Sequence, residues 1–166
     1  MEESVNLIKE IRMKKNGFLH PQLSKAIASL GHHDILWISD GNHPSPDDGR
    51  RIDLAIIPGL PDLPPVLSAL KDELFIEEVI LAAEMEEYNP KLYKWIVENF
   101  KDIPIKKLPH SPDLLSLKAE AKYIVRTASM SPWGNIVFVI GCNWNLILKQ
   151  DGVRIPNEFL PEKFRK

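Results

Sequence analysis

A histidine and an aspartate flank a short apolar run near the start of the chain. His32 precedes residues 35–38, and Asp40 follows them. The run is β-branched and aromatic, which is typical of a buried strand. An imidazole and a carboxylate held at opposite ends of one rigid strand suit proton transfer. The alternative is that His32 and His33 are surface residues of a turn and that Asp40 only caps the next loop, since Asp-Gly turns after strands are common.

Further polar side chains lie at the ends of later predicted strands. His110 follows the predicted strand 103–108, and the segment 131–135 leads directly into the predicted strand 136–140. In an open α/β sheet, ligands gather at strand ends near topological switch points. Imidazoles and a carboxylate can exchange protons, an amide can bind hydroxyls, and an indole can pack against a sugar ring. We therefore predict a sugar site from His32, Asp40, His110, Trp133 and Asn135, although each residue alone has an ordinary loop or packing role as its alternative.

Other chemistries have weaker support. The chain has no P-loop and no Gly-x-Gly-x-x-Gly after a strand, and Gly-x-Ser-x-Gly is also missing, so nucleotide and α/β-hydrolase chemistry are not indicated. A zinc or manganese site is conceivable, because several histidines and aspartates lie close together in sequence. The residues in question are His20, His32, His33, Asp34, Asp40 and His43. No pair of them has a recognised metal-ligand spacing on a helix, so we predict no metal site.

Composition limits the class of protein. The 166 residues are 44% hydrophobic and 27% charged, which predicts one soluble globular domain with a real core. The net charge of −2 gives no general attraction to nucleic acid or to anionic membranes. There is no apolar run of transmembrane length and no signal-peptide pattern. The single cysteine, Cys142, excludes an intramolecular disulfide and is expected to be a small buried hydrophobe rather than a nucleophile. We expect a cytoplasmic protein.

Predicted strands and helices alternate along the chain, which indicates an α/β domain whose helices cover a mostly buried sheet. The apolar runs predict strands, and proline-led amphipathic segments predict helices. Residues 1–16 could form an amphipathic helix or a frayed extension, and the tail after 149 could be an arm over a neighbour or loose chain. Strands are predicted at 35–38, 52–57, 75–83, 103–108 and 136–140, and helices at 21–30, 62–70, after Asn89-Pro90, and from Ser111-Pro112 into 123–125, with Gly31 ending the first helix.

An ordered set of short segments resembles the family of D-ribose pyranases and L-fucose mutarotases (RbsD/FucU). The resemblance spans roughly residues 17–141, and the Arg-Ile-Asp strand places the chain closer to the ribose pyranase branch. The matching segments are Leu30-Gly31-His32-His33-Asp34, Ser39-Asp40, Arg51-Ile52-Asp53-Leu54-Ala55, Asn89-Pro90, His110, and Ser131-Pro132-Trp133-Gly134-Asn135-Ile136.

The resemblance implies a fold and an assembly. Members of the family have a three-layer α/β/α arrangement with a mixed sheet, so we expect a single domain over 1–166 with a core at about 17–141 and terminal extensions at 1–16 and 143–166. Members form homo-oligomeric rings, typically octamers or decamers, in which a neighbouring subunit completes each site. They act on a monosaccharide and need no cofactor, and no nucleic acid or membrane partner is implied.

The resemblance also implies residue roles. His32 corresponds to the family's proton donor, Asp40 to a carboxylate that binds substrate, and His110 to the second histidine of the site. Trp133, Gly134 and Asn135 correspond to the Tyr-Ala-Asn or Tyr-Gly-Asn segment that holds the sugar. The implied reaction opens and recloses a sugar ring: His32 protonates the ring oxygen, while His110 or Asp40 accepts or relays the proton of the anomeric hydroxyl.

The chain departs from the family pattern at its site and at its ends. Trp133 stands where tyrosine is usual, His33 and His43 add imidazoles, and both termini extend beyond the family core. Three alternatives to catalysis of ring exchange stay open at this point. They are a non-catalytic sugar-binding or regulatory protein, a metal-dependent isomerase or hydrolase that uses the histidines, and an assembly protein with a vestigial pocket.

Overall fold

The computed structural model of the protein describes residues 17–161, 164 and 165. The helix considered for residues 1–16 therefore lies outside the described residues. One mixed sheet of six strands forms the centre, in the order β2-β5-β1-β6-β3-β4. Its strands are β1 (Ile35–Ser39), β2 (Arg51–Asp53), β3 (Ile76–Ala82), β4 (Ile105–Leu108), β5 (Tyr123–Arg126) and β6 (Ile136–Ile140).

Strand direction defines two edges of the sheet. The strands β1, β2 and β5 are mutually parallel, as are β3 and β4, and β6 runs antiparallel to both β1 and β3. The carboxyl ends of the five parallel strands therefore share one edge with the start of β6. We call this the exit edge, and we call the opposite edge, where β1 begins, the entrance edge.

Helices cover both faces of the sheet. One face carries a large core of aliphatic side chains from three helices packed on the strands, together with Phe100 and Phe138. The other face carries a smaller core around Trp37, Leu114 and Val137. The helices are α1 (Pro21–Ser29), α2 (Leu63–Glu73), α3 (Met85–Tyr88), α4 (Pro90–Asn99), α5 (Leu115–Glu120) and α6 (Trp144–Ile147). The predicted three-layer α/β/α arrangement with a mixed sheet is confirmed.

Local sequence signals explain where the main helices begin. Asp62 caps α2 through a bond from the Leu63 backbone N–H, and Asn89 caps α4 by accepting from the Leu92 backbone N–H. Proline follows each cap within the first turn, where its missing N–H costs no helical hydrogen bond. The predicted starts of these two helices are confirmed.

Two predictions about individual elements were wrong. The strand expected over 52–57 ends at Asp53, because Ile56 and Ile57 are exposed in a loop. Residues 123–126 do not continue a helix but form β5, which lies between β1 and β2. Gly31 lies just beyond the end of α1, as predicted. The helix ends at Ser29, and the left-handed conformation is adopted by His33, with a φ of 68°.

The segment after β6 packs back on the entrance edge. It contains α6, whose first turn Asn143 caps, and a short 3-10 turn at Asn157–Phe159. Leu160 is buried, so this part of the tail contacts the folded chain rather than lying loose. Among the described residues, no helix is both long enough and apolar enough to cross a membrane.

Candidate active site

Polar side chains from three separate segments converge at the exit edge. Asp40 follows β1, His110 follows β4, and Asn135 precedes β6, so the strand directions alone bring them to one place. His43 and Trp133 join them from the adjacent loops, and we call these five residues the exit cluster. Of the residues predicted for the site, the structure brings Asp40, His110, Trp133 and Asn135 together.

Asp40 is a buried carboxylate at the end of β1. It is 8% exposed, and one carboxylate oxygen accepts a hydrogen bond of 2.8 Å from the Asn42 backbone N–H. Burial raises the pKa of the Asp40 carboxyl above its usual range, against the smaller opposing effects of nearby backbone N–H groups and of His110. The charged carboxylate is therefore held where water solvates it poorly, which strengthens its interaction with any hydroxyl donor that enters.

His110 is held in place by its backbone and faces Asn135. Its backbone N–H donates to both carboxylate oxygens of Glu84, at 3.0 and 3.1 Å. The Asn135 amide nitrogen lies 3.4 Å from His110 Nε2, so in this arrangement the amide donates to the unprotonated ring nitrogen. Trp133 packs edge-on against the imidazole, with 5.2 Å between the ring centroids. An imidazole with an unprotonated nitrogen can accept a proton from a bound hydroxyl.

The loop that carries Trp133 is tightly constrained. Trp133 has a φ of 60°, and the Asn89 side-chain amide donates to the Pro132 carbonyl at 2.7 Å. A methyl group added to Gly134 would come within 2.8 Å of the Ser131 carbonyl oxygen, and it would lie 3.3 Å from Asp40 Cβ. Only glycine fits here without displacement of the backbone, so the loop and Asp40 can approach closely.

His43 belongs to the exit cluster, although it was not among the predicted site residues. It stacks on Trp37 with 5.3 Å between ring centroids and is 8% exposed. Burial lowers the pKa of His43 to about 4, with smaller contributions from Lys118 and His110. The imidazole is therefore neutral near pH 7 and can both donate and accept a hydrogen bond. Its position in a polar loop eight residues before β2 gave no signal of burial.

Unpaired polar atoms are concentrated at the exit edge. Six buried side-chain nitrogen or oxygen atoms lack a hydrogen-bond partner among the described residues. Four of them belong to residues at this edge: Ser39, His43, Arg126 and Asn135. Buried polar atoms are normally paired, so a cluster of unpaired ones indicates that a polar ligand or water supplies the partners. Asn135 Oδ1 and His43 Nε2 are suited to bind hydroxyl groups.

His32 does not lie with the exit cluster. It precedes β1 at the entrance edge, and a strand advances about 3.3 Å per residue, so His32 and Asp40 of one chain are roughly 20 Å apart. Its Nε2 lies 3.1 Å from Glu77 Oε2, and His33 Nε2 lies 3.7 Å from the same oxygen. We call His32, His33 and Glu77 the entrance cluster. The sequence predicted that His33 adds an imidazole near the site, but within one chain it lies beside Glu77 and not beside the exit cluster.

Glu77 is the second residue that the sequence prediction missed. The pairing of β3 with β6 shifts between Ile76 and Glu78, which places Glu77 at an irregularity of the β-bulge type. Bulges re-aim side chains and are common beside active sites. Nothing local to β3 shows that the neighbour of Glu77 across the sheet edge is His32. His20, considered for a metal site, instead caps α1 by accepting from the Leu23 backbone N–H.

Comparison of the sequence with known proteins finds one family and relatives named as D-ribose pyranases. Residues 13–143 match the model of the RbsD / FucU transport protein family. The chain is 40% identical to D-ribose pyranase 2 of Rubrobacter xylanophilus over 147 residues, which are 89% of this chain and 96% of that protein. It is 38% identical to a D-ribose pyranase of Geobacillus thermodenitrificans, over 80% of this chain and the whole of that protein.

Solved structures share the fold. The structure of Bacillus subtilis RbsD complexed with D-ribose superposes with a TM-score of 0.75 at 35% identity, covering 80% of this chain and 100% of that one. The fucose mutarotase of Streptococcus pneumoniae in complex with L-fucose superposes with a TM-score of 0.68 at 19% identity, covering 79% of this chain and 99% of that one, which is a likeness of fold alone. The family match and the identities agree, and this chain belongs to the RbsD/FucU family, in its ribose pyranase branch.

Proposed function

We propose that the protein is an isomerase that interconverts the ring forms of a monosaccharide of the D-ribose type. The observation that carries this proposal is the exit cluster, where a buried carboxylate, an imidazole and an amide converge with unpaired polar atoms. The relatives named as D-ribose pyranases and the ribose complex of the Bacillus protein support the substrate class.

The proposed chemistry is proton exchange at one sugar. A base removes the proton of the anomeric hydroxyl as the bond between the anomeric carbon and the ring oxygen breaks, and an acid delivers a proton to that ring oxygen. Reclosure reverses both transfers, so the sugar's atoms and electrons balance without a cofactor. His110, whose Nε2 accepts from Asn135, or Asp40 would act as the base, and His32 would act as the acid.

We propose that the acid comes from a second copy of the chain. A distance of roughly 20 Å separates His32 from Asp40 within one chain, which a single sugar does not span. Two copies could bring the entrance cluster of one against the exit cluster of the other. This would make the assembly a homo-oligomer in which every site is shared, and an octameric or decameric ring, as expected from the resemblance, would satisfy that requirement.

An apolar surface beside the exit cluster supports such an assembly. Ile56, Ile57 and Leu60 are all exposed in the loop after β2, and the exposed Met130 lies beside Gly41. The Gly59 backbone N–H donates to the Ala128 carbonyl at 2.7 Å, which holds this loop against the strand end that leads to Met130. Contiguous exposed apolar side chains commonly mark a protein interface. We also propose a cytoplasmic location, in keeping with a chain whose one cysteine can form no internal disulfide.

The reaction is tested by saturation-transfer NMR of metal-free protein with D-ribose, L-fucose and further reducing sugars. Enhanced exchange between ring forms is expected for ribose. His32→Ala should lower the exchange rate by about 10²–10⁴-fold with assembly unchanged in sedimentation. His20→Asn is the matched control, because it removes a histidine elsewhere and keeps a good helix cap. Sugar binding without exchange would instead identify a non-catalytic binding protein.

Sharing of the site is tested by mixing two inactive variants. His32→Ala and His110→Ala chains are co-expressed with different tags, and hetero-oligomers are purified through both tags. If each site takes His32 from one chain and His110 from another, about a quarter of the sites in a random assembly are intact and activity returns to that extent. If both residues act within one chain, no site is intact and the mixture stays inactive.

A further inference from the structure

We propose that the entrance cluster binds a divalent transition-metal ion of the zinc class, and that this ion inhibits ring exchange. The ligands are His32 Nε2, His33 Nε2 and a carboxylate oxygen of Glu77. The binding half of the proposal is independent of the sugar reaction, whereas the inhibitory half rests on the proposed function.

The three ligand atoms are already grouped at the spacing that a small cation needs. Glu77 Oε2 lies 3.1 Å from His32 Nε2 and 3.7 Å from His33 Nε2, and all three ligand atoms lie within 4.8 Å of one another. Around tetrahedral zinc, with bonds of about 2.0–2.2 Å, neighbouring ligand atoms lie ~3.3–3.5 Å apart. A cation could therefore enter between the three side chains with small rotations.

The backbone presents these ligands from fixed positions. His33 holds a left-handed conformation, with a φ of 68°, and its backbone N–H donates to the Ile140 carbonyl at 2.7 Å. A non-glycine residue in this region is uncommon, and it places the imidazole of His33 beside that of its neighbour, with 3.9 Å between ring centroids. Glu77 projects from the irregularity in β3. Ligands on sheet ends are positioned better than ligands on long loops.

The surroundings shield the three ligands in part and leave room for water. Cys142 and Trp144 line the same groove as His33 and Glu77, which has a volume of about 1100 Å³. Trp144 packs edge-on against the His32 ring with 5.9 Å between centroids. Water can complete the coordination, because the His33 side chain is 72% exposed.

The ligand types select the class of cation. Two imidazoles with one carboxylate suit zinc, copper and nickel, whereas magnesium and calcium prefer sets made of oxygen atoms. A metal ion on His32 Nε2 occupies the nitrogen that also bonds to Glu77, so that nitrogen can no longer carry a proton to a sugar. Bound metal should therefore suppress ring exchange without displacing the sugar from the exit cluster.

Metal binding is tested by titrating the metal-free, assembled protein with Zn²⁺ in an isothermal calorimeter, with Mg²⁺ as the comparison cation. The wild type and His20→Asn should bind one Zn²⁺ per chain, and no binding of Mg²⁺ is expected. His33→Asn and Glu77→Gln should each weaken Zn²⁺ binding more than about tenfold, since even outer partners of metal sites are worth 10–100-fold. Asparagine is chosen because it tolerates the left-handed backbone at this position.

Two results would overturn the binding half. The first is that both variants bind Zn²⁺ as tightly as the wild type does. The second is that the wild type binds no Zn²⁺. Sedimentation confirms that the variants are assembled. The calorimetry needs no sugar, so it decides the metal site even if no sugar shows enhanced exchange.

Inhibition is then measured as ring exchange against Zn²⁺ concentration. Relative to its own metal-free exchange rate, His33→Asn should need more than about tenfold more Zn²⁺ for half-inhibition than the wild type. Exchange that persists in the wild type at saturating Zn²⁺ would overturn the inhibitory half while leaving the binding site in place.

Discussion

The two ends of β1 carry similar side chains in different surroundings. At the entrance edge, His32 and Glu77 pair with each other, and their side chains are 40% and 25% exposed. At the exit edge, Asp40 and Asn135 are 8% and 4% exposed, and Asn135 Oδ1 has no partner among the described residues. Burial of unpaired polar groups is costly, so the exit edge is prepared to receive a ligand. At the entrance edge the side chains are exposed to solvent and paired with each other, so they are placed to contact another molecule.

The largest expected effect is the loss of activity when the exit edge loses the imidazole of His110. His110→Ala removes the imidazole whose Nε2 faces Asn135, and it keeps the backbone N–H that donates to Glu84. We expect ring exchange on ribose to fall by about 10²–10⁴-fold with the free energy of unfolding nearly unchanged. Saturation-transfer NMR measures the rate, and thermal unfolding checks the fold. If the exchange rate of the variant stays within about threefold of the wild-type rate, His110 has no part in the mechanism.

The pH dependence of stability tests the burial of the exit cluster. The pKa of His43 is lowered from 6.5 to about 4 in the folded chain. Between these values the unfolded chain binds more protons, so this residue's contribution to stability is lost as the pH falls from 6.5 toward 4. The loss approaches about 3 kcal/mol, because each pKa unit corresponds to about 1.4 kcal/mol.

Urea unfolding at pH 7 and pH 4.5 measures that loss, at one protein concentration. The wild type should lose more free energy of unfolding than His43→Gln, which has no titrating ring. Asp40, whose pKa is raised by burial, changes stability in the opposite sense but does so in both proteins, so the difference isolates His43. Equal losses in the two proteins would contradict a neutral buried imidazole.

Two glycine substitutions compare how tightly the chain is packed at the exit edge and at the entrance edge. The methyl of Gly134→Ala would meet the Ser131 carbonyl oxygen at 2.8 Å at the exit edge. Gly31→Ala places its methyl 3.6 Å from an Asp34 oxygen at the entrance edge, an ordinary contact. We expect about 1–3 kcal/mol of destabilisation for Gly134→Ala and much less for Gly31→Ala. Denaturant unfolding measures both, and equal costs would show that the exit loop is no tighter than the entrance turn.

The smallest expected effect concerns the charge of Asp40. Asp40→Asn keeps an oxygen that can accept from the Asn42 backbone N–H and removes a poorly solvated charge. We expect the free energy of unfolding at pH 7 to rise by about 1 kcal/mol while sugar exchange falls, since active-site groups commonly trade stability for function. Urea unfolding and NMR exchange are measured on the same sample. A loss of stability would mean that the charge supports the fold.

Much of the framework could be predicted from local sequence. The apolar β-branched run before Asp40 predicted β1, and Asn89 followed by proline predicted the start of α4. Such signals are local, because a strand needs residues that suit a pleated surface and a helix start needs a side chain that caps its first turn. By contrast, 123–126 follows a helix without a turn signal, and only its neighbours β1 and β2 make it a strand.

The sequence by itself indicated four residues of the exit cluster, because Asp40, His110, Trp133 and Asn135 lie at predicted strand ends. It did not indicate His43, whose burial depends on its packing against Trp37. The tertiary structure decided which of the polar residues meet. The antiparallel direction of β6 brings Asn135 to the ends of β1 and β4, and a bulge in β3 turns Glu77 toward His32. Strand length separates His32 from Asp40 within one chain. Direction, register and distance depend on pairing between residues far apart in sequence, and local patterns do not encode them.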